Sequence, residues 1–183
     1  KYSIVFDVYH GTVAGAGGLG FPTELKPDDV KLLGDFAMLG HIHKHQQLGN
    51  AVYSSSLVQW SFSEGVRMDA DRVIYDHSND HGFVLWTVHN GQASYEFVPI
   101  KQATIMLTLV MDQRMTRDRL VQILQALPAD QNYSLKLVHD KPNADALAFL
   151  YNVCKTNTRL AIKRSEAVPV AKAVNEVSEA TES

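Results

Sequence analysis

Residues 101–165 alternate between two hydrophobic periods, and this alternation constrains the fold more than any other feature of the 183-residue chain. TIMLTLVM (104–111), YSLKLVH (133–139) and TRLAIKRS (158–165) read as strands. Between the first two, TRDRLVQILQAL places Leu120, Ile123, Leu124 and Leu127 at helical spacing, with Thr116 as a candidate N-cap. Between the last two, NADALAFLYNVCK repeats the helical pattern behind Asn143 as a second candidate cap. Strand, helix, strand, helix, strand in about 65 residues predicts a compact α+β module.

The first hundred residues are β-rich. YSIVFDVYHG predicts a buried strand over residues 4–9 that ends at His10-Gly11. TVAGAGGLGFP is a loop; it lacks G-K-[ST], and its glycines are out of register for G-x-G-x-x-G, so it is no phosphate loop. PTELKPDDVKLLGDF predicts a short helix, with Pro27, Asp28 and Asp29 suited to its first turn. FAML is a short strand running into Gly40 and the histidines. NAVYSSSLVQWSFSE reads as strand, serine turn and strand, and DADRVIYDHSNDHG as a loop or hairpin. GFVLWTVHNGQASYEFVPI is a hairpin about Asn90-Gly91, the strongest short hairpin signal. These patterns predict a domain over 1–100, a second over 101–165 with its boundary near 99–102, and a flexible tail over 166–183, helical only with a partner.

Apolar residues make up 45% of the chain and charged ones 20%, as in ordinary globular proteins. No apolar run approaches the roughly 20 residues that span a bilayer, so no membrane role is expected. The single cysteine, Cys154, excludes an internal disulfide, fits a reducing compartment and reads as a small core residue. Charge is uneven. Residues 1–100 carry 6 Lys/Arg against 11 Asp/Glu, residues 101–165 carry 10 against 5, and residues 166–183 carry 1 against 4. A basic second domain can meet nucleic-acid phosphate, or the excess is simply solvated charge.

The chemistry-bearing stretch is LGHIHKHQ, with His41, His43 and His45 at alternate positions. An H-x-H pair can share one metal ion; on an irregular loop it can instead reach two ions about 3.5–4 Å apart, the spacing of two-metal hydrolytic sites. His77, His81, His89 and His139 fall in loops or strand ends and read as structural or solvent-exposed.

Four motifs in order, YHGTVAGA, MLGHIHKHQ, VYSSSLVQWSFSE and HGFVLWTV, make residues 1–100 resemble the SbcD-type nucleases of double-strand-break repair. These are a branch of the calcineurin-like metallophosphoesterases with bacterial, phage and eukaryotic members. The resemblance implies an α+β fold: the second half of a two-sheet metallophosphoesterase sandwich, followed by a small β-α-β-α-β capping domain that contacts DNA. It implies that His10, in H-G-T-V, and His41 bind one metal and that His43 binds the other. It implies two divalent cations, manganese first, with magnesium or zinc as alternatives. Gly40 matches the glycine of G-H-x-H, expected to permit a tight turn. Ser55 stands where the family commonly has Gly, and His45 where proline or a small residue is more usual. His45 is therefore expected outside the metal shell.

The family's remaining motifs, D-x-H, G-D and G-N-H-[DE], do not precede His10, and Gly34-Asp35 lies in the wrong order to serve. Asp7 points away from His10 by strand alternation. The carboxylates and the general-acid histidine are thus expected in an N-terminal half, in cis or in trans. The expected function is the C-terminal part of a manganese-dependent DNA endo/exonuclease. It would work in the cytoplasm (of the host, if phage-encoded) with an SMC-like ATPase of the SbcC type, as a homodimer when complete. The tail from Glu166 is where the ATPase-binding segment would begin. Two other readings stay open. One is a non-catalytic DNA- or ATPase-binding module with a relic metal site. The other is a mononuclear zinc site of three histidines.

Overall fold

A computed structural model of the chain describes residues 4–16, 24–26, 29 and 34–167. The fold is α+β, with three sheets and two α-helices of eight or more residues among the described residues. It divides into two compact units, Lys1–Val58 with Asn79–Lys101, and Gln59–Ser78 with Gln102–Ser183.

The first unit holds a four-stranded sheet built from β1 (Phe6–His10), β2 (Phe36–Gly40), β3 (Gln46–Leu48) and β4 (Ala51–Tyr53), in the order β1-β2-β4-β3. β1, β2 and β4 are parallel, and only β3 runs against its neighbour. One face buries Ala37, Leu39, Ala51 and Tyr53, with Val13 and Ile42 from the flanking loops. On the other face Phe6 and Phe36 stack at 5.5 Å. Trp86 meets both, at 5.1 and 5.3 Å. Trp86 belongs to the expected hairpin, β7 (Gly82–His89) and β8 (Gln92–Pro99), whose turn residues Asn90 and Gly91 have φ of 50° and 74°. Positive φ at both centres matches the right-handed strand twist, which is why Asn-Gly marks such turns.

β1 is one residue later than expected at its end, and it is not a buried strand. It lies at the end of the strand order, and Val8 is 80% exposed. The helix expected over 22–36 falls largely outside the described residues, as does the glycine-rich stretch beyond residue 16.

The second unit is a five-stranded sheet, β11-β10-β9-β5-β6, made of β5 (Val66–Met68), β6 (Val73–Asp76), β9 (Thr104–Met111), β10 (Asn132–His139) and β11 (Leu160–Ala167). The alternating pattern is as expected: β9, β10 and β11 are parallel, joined through α1 (Arg117–Ala126) and α2 (Ala144–Thr156). The side chains of Thr116 and Asn143 accept from the amides of Arg119 and Ala146, satisfying one orphan donor of each helix. Both crossovers step the same way along the sheet, so both helices cover one face. The core there contains Leu107, Leu109, Leu120, Leu135, Leu137 and Leu150. Cys154 is half-buried against this core, and burial raises its thiol pKa.

Three expectations change here. The chain does divide between Lys101 and Gln102, but residues 59–78 join the second unit. The reason is that β5 adds to the β9 edge in parallel register and brings β6 with it. This segment contributes Arg67 and Arg72 but also Glu64, Asp69, Asp71 and Asp76, offsetting part of the basic excess read over 101–165. Second, the strand expected after the serine turn is absent. Residues 57–64 form a loop and a 3-10 turn, Phe62–Glu64. The Glu64 carboxylate accepts from the Trp60 amide (2.9 Å) and the Ser61 hydroxyl (3.2 Å), local bonds that compete with a strand ladder. Third, the tail does not begin at Glu166. β11 runs on to Ala167, with Glu166 ion-paired to Lys136 at 3.0 Å; residues 168–183 lie outside the described residues. No helix among the described residues is long and apolar enough to cross a membrane.

Candidate metal centre

Parallel pairing carries the carboxyl ends of β1, β2 and β4 to one edge of the first unit's sheet. This is where parallel sheets present ligand-binding residues. His10 closes β1 and is in register with Gly40, the last residue of β2. The ring of His41, the next residue, lies 5.3 Å from that of His10, centroid to centroid, at 73°.

Gly40 makes this approach feasible. A Cβ there would stand 2.9 Å from His10 Nδ1, inside van der Waals contact. Its role differs from the expected one. The tight backbone belongs to His41, with φ of 93°, whereas Gly40 is not among the residues with positive φ. A Cβ at Gly11 would likewise meet side-chain ends, the Glu24 carboxylate and the Tyr9 hydroxyl, which would have to shift. Those two groups are hydrogen-bonded at 2.8 Å, and that bond, followed by burial, raises the Tyr9 pKa.

Ile42 is buried and belongs to the core, anchoring the loop between His41 and His43. His41 is half-buried, and His10 and His43 are exposed. Tyr53 braces the segment that follows His10. Its buried hydroxyl donates to the Gly11 carbonyl at 2.7 Å and accepts from the Val13 amide at 3.0 Å. Burial raises its pKa, keeping it a donor.

His45 is built into the fold. Its Nδ1 lies 2.9 Å from the Tyr53 carbonyl, which can only accept, so Nδ1 carries the proton. Its ring stacks on Phe97 at 4.4 Å and 14°. His81 is buried, with Nδ1 3.0 Å from Ser56 Oγ. His77 stacks on Tyr75, His139 lies 3.1 Å from Ser165 Oγ, and His89 is exposed at its hairpin.

The donor set suits a borderline divalent ion. Two imidazoles stand side by side at a strand-end edge, and a third follows two residues later. Among the described residues, no group of three His, Cys, Asp or Glu side chains is arranged to hold one ion.

Sequence reasoning passed over Tyr53 and assigned Ser55 no role. Ser55 has φ of 76°, a conformation glycine adopts freely. The signal for Tyr53 was faint: a lone tyrosine ending a short apolar strand. Against models of known protein families and against curated proteins, the chain gives no match.

Proposed function

We propose that this chain is the C-terminal part of a manganese-dependent DNA nuclease of the SbcD-type, metallophosphoesterase kind. In this reading the first unit is the second half of the nuclease sandwich and the second unit is the capping domain. The observation that carries the reading is the His10–Gly40 register. It sets His10 and His41 side by side at a parallel strand end, with His43 one buried residue further on. This arrangement supports the division of ligands that the resemblance implies, in which one metal is shared by His10 and His41 and a second is met by His43. The bound cations would polarise a phosphodiester and activate water. This chain's own residues hold and orient: Gly40 admits the His10 ring, Ile42 pins the loop, and Tyr53 braces Gly11.

Carboxylate ligands and the general acid come, in this reading, from an N-terminal half. The end strand β1, carrying solvent-exposed Val8 two residues before His10, is the natural place for that half to dock. DNA contact by the second unit would fall to Lys136 and Arg164, which register sets side by side on the sheet face away from the helices; Thr108, the next position across that row, is buried. Glu166 answers both Lys136 and Arg164, at 3.0 and 3.4 Å. The SbcC-type ATPase, the homodimer and the cytoplasmic location belong to the same proposal.

The test combines the chain with a polypeptide that carries D-x-H, G-D and G-N-H-[DE] in order. Cleavage of single-stranded and hairpin-ended DNA is then measured with manganese. The reading expects cutting that His43→Ala abolishes. DNA affinity that survives chelation and substitution of all three histidines, with no cutting, establishes the non-catalytic module instead.

A further inference from the structure

The serine triplet Ser54–Ser56 has no part in the proposed chemistry, yet among the described residues it contains one of only two positive-φ, non-glycine residues at the strand-end edge; His41 is the other. Ser55 Oγ lies 2.7 Å from the His43 carbonyl and 2.6 Å from the Asp80 carbonyl. A hydroxyl has one proton, so a single donor serves two acceptors from segments far apart in sequence. The neighbouring residues bind the same two segments. The Ser54 amide donates to Leu39 O at 3.3 Å, and the Gly82 amide to Ser56 O at 3.0 Å. His81 is 1% exposed and holds Ser56 Oγ at 3.0 Å. The end of β4 thus ties the histidine loop on one side to the start of β7 on the other.

A serine held at φ of 76° is strained, and strain persists only where the surroundings enforce it. Glycine would remove the strain but also the hydroxyl. We propose that Ser55 is a positioning residue. It fixes the His43–Lys44 peptide plane against the Asp80–Gly82 segment and so sets the direction of the His43 imidazole; the consequence for metal binding rests on the nuclease reading above. The carbonyl that accepts from Ser55 shares its peptide unit with the Lys44 amide, which gives a readout independent of any metal.

The experiment compares the wild-type chain with Ser55→Gly and Ser55→Ala. Nuclear relaxation dispersion at the Lys44 amide measures motion of the peptide plane. Titration with Zn2+ alone, as a diamagnetic stand-in for Mn2+, follows the shifts of the His10, His41 and His43 ring signals, and calorimetry gives the melting temperature. Removing a partner that orients a ligand typically weakens metal binding by about 10–100-fold. The expected result is new exchange at Lys44 in both variants and a His43 shift that needs about tenfold more Zn2+. The His10 and His41 titrations should stay unchanged. Ser55→Gly should melt no lower than Ser55→Ala, since it relieves the backbone. Identical Lys44 dynamics in all three proteins overturns the proposal. So does a His43 loss that merely tracks melting temperature and is matched at His10 and His41. Should the wild-type histidines, alone or with the N-terminal half, ignore Zn2+ while Lys44 still loosens in the variants, the metal reading fails and the positioning of the loop stands.

Discussion

Replacing Gly40 by alanine separates the stability of this fold from the geometry of its candidate metal site. The new Cβ would lie 2.9 Å from His10 Nδ1. Carbon and nitrogen rest comfortably near 3.5 Å, so the ring must retreat by roughly 0.6 Å or swing aside. His10 is exposed, so that movement meets little resistance. Gly40 does not use positive φ, and alanine in a strand saves roughly 0.5–1 kcal/mol of backbone entropy relative to glycine. The net change in stability should therefore fall between neutral and about 1 kcal/mol stabilising. A metal shared by His10 and His41, as proposed, would have no such tolerance, because ligand distances must hold within about 0.2 Å. Loss of one imidazole from the pair should weaken Mn2+ by at least tenfold, or about 1.4 kcal/mol. Urea unfolding gives the first quantity and isothermal titration with Mn2+, on the chain completed by its N-terminal half, the second. A Gly40→Ala protein that keeps wild-type Mn2+ affinity refutes the claim that Gly40 exists to let His10 and His41 converge.

Other consequences follow from single contacts. Tyr53→Phe removes a buried hydroxyl and leaves the Gly11 carbonyl and the Val13 amide without their partner; the unfolding free energy should drop by about 2–3 kcal/mol in urea. Asn143→Ala deletes the cap of α2 and should cost about 1 kcal/mol, visible as loss of helical circular dichroism at lower urea. Asp112 titrates below the usual carboxylate range. Burial alone would raise it, but the Arg114 guanidinium and the amides of Arg114 and Met115 outweigh that. A depressed folded-state pKa stabilises above the unfolded value, near 3.9, and that contribution vanishes as pH falls through the folded value. Acid titration of wild type against Asp112→Asn should show the extra loss below about pH 4 in wild type alone.

The second unit's core elements were legible because their signals are local. Helical spacing from Leu120 to Leu127, caps at Thr116 and Asn143, and three β-rich runs each specify one element without help from distant residues. The Asn90-Gly91 hairpin is equally local. What escaped was decided by pairing across long sequence distances. Nothing in VRM reveals that β5 will add beside β9, and so the division of the chain could not be read correctly around residues 59–78. WSFSE has the composition of a strand, but its serines and Glu64 satisfy the backbone locally.

The candidate site divides along the same line. H-x-H and the glycine before it are visible in the sequence, and the fold brings His10 to them through a parallel register. The reason for the glycine was not visible, because the group it avoids lies thirty residues earlier. His45 is expected outside the metal shell from the sequence, with no structural part assigned to it. Its bond to the Tyr53 carbonyl and its stacking on Phe97 give it a structural part instead. The tie from Ser55 to the His43 and Asp80 carbonyls depends on three segments meeting, and no short motif announces it.

The central claim is that His10, His41 and His43 are one share of a two-metal site completed by another stretch of polypeptide. Metal stoichiometry tests it most directly. Mn2+ bound per complex is measured for the chain joined to the polypeptide bearing D-x-H, G-D and G-N-H-[DE], and again after His43→Ala. The account predicts two Mn2+ in the wild-type complex and a single tightly held one in the variant. A folded complex that binds no Mn2+, or one that keeps two after His10, His41 and His43 are all replaced by alanine, contradicts it.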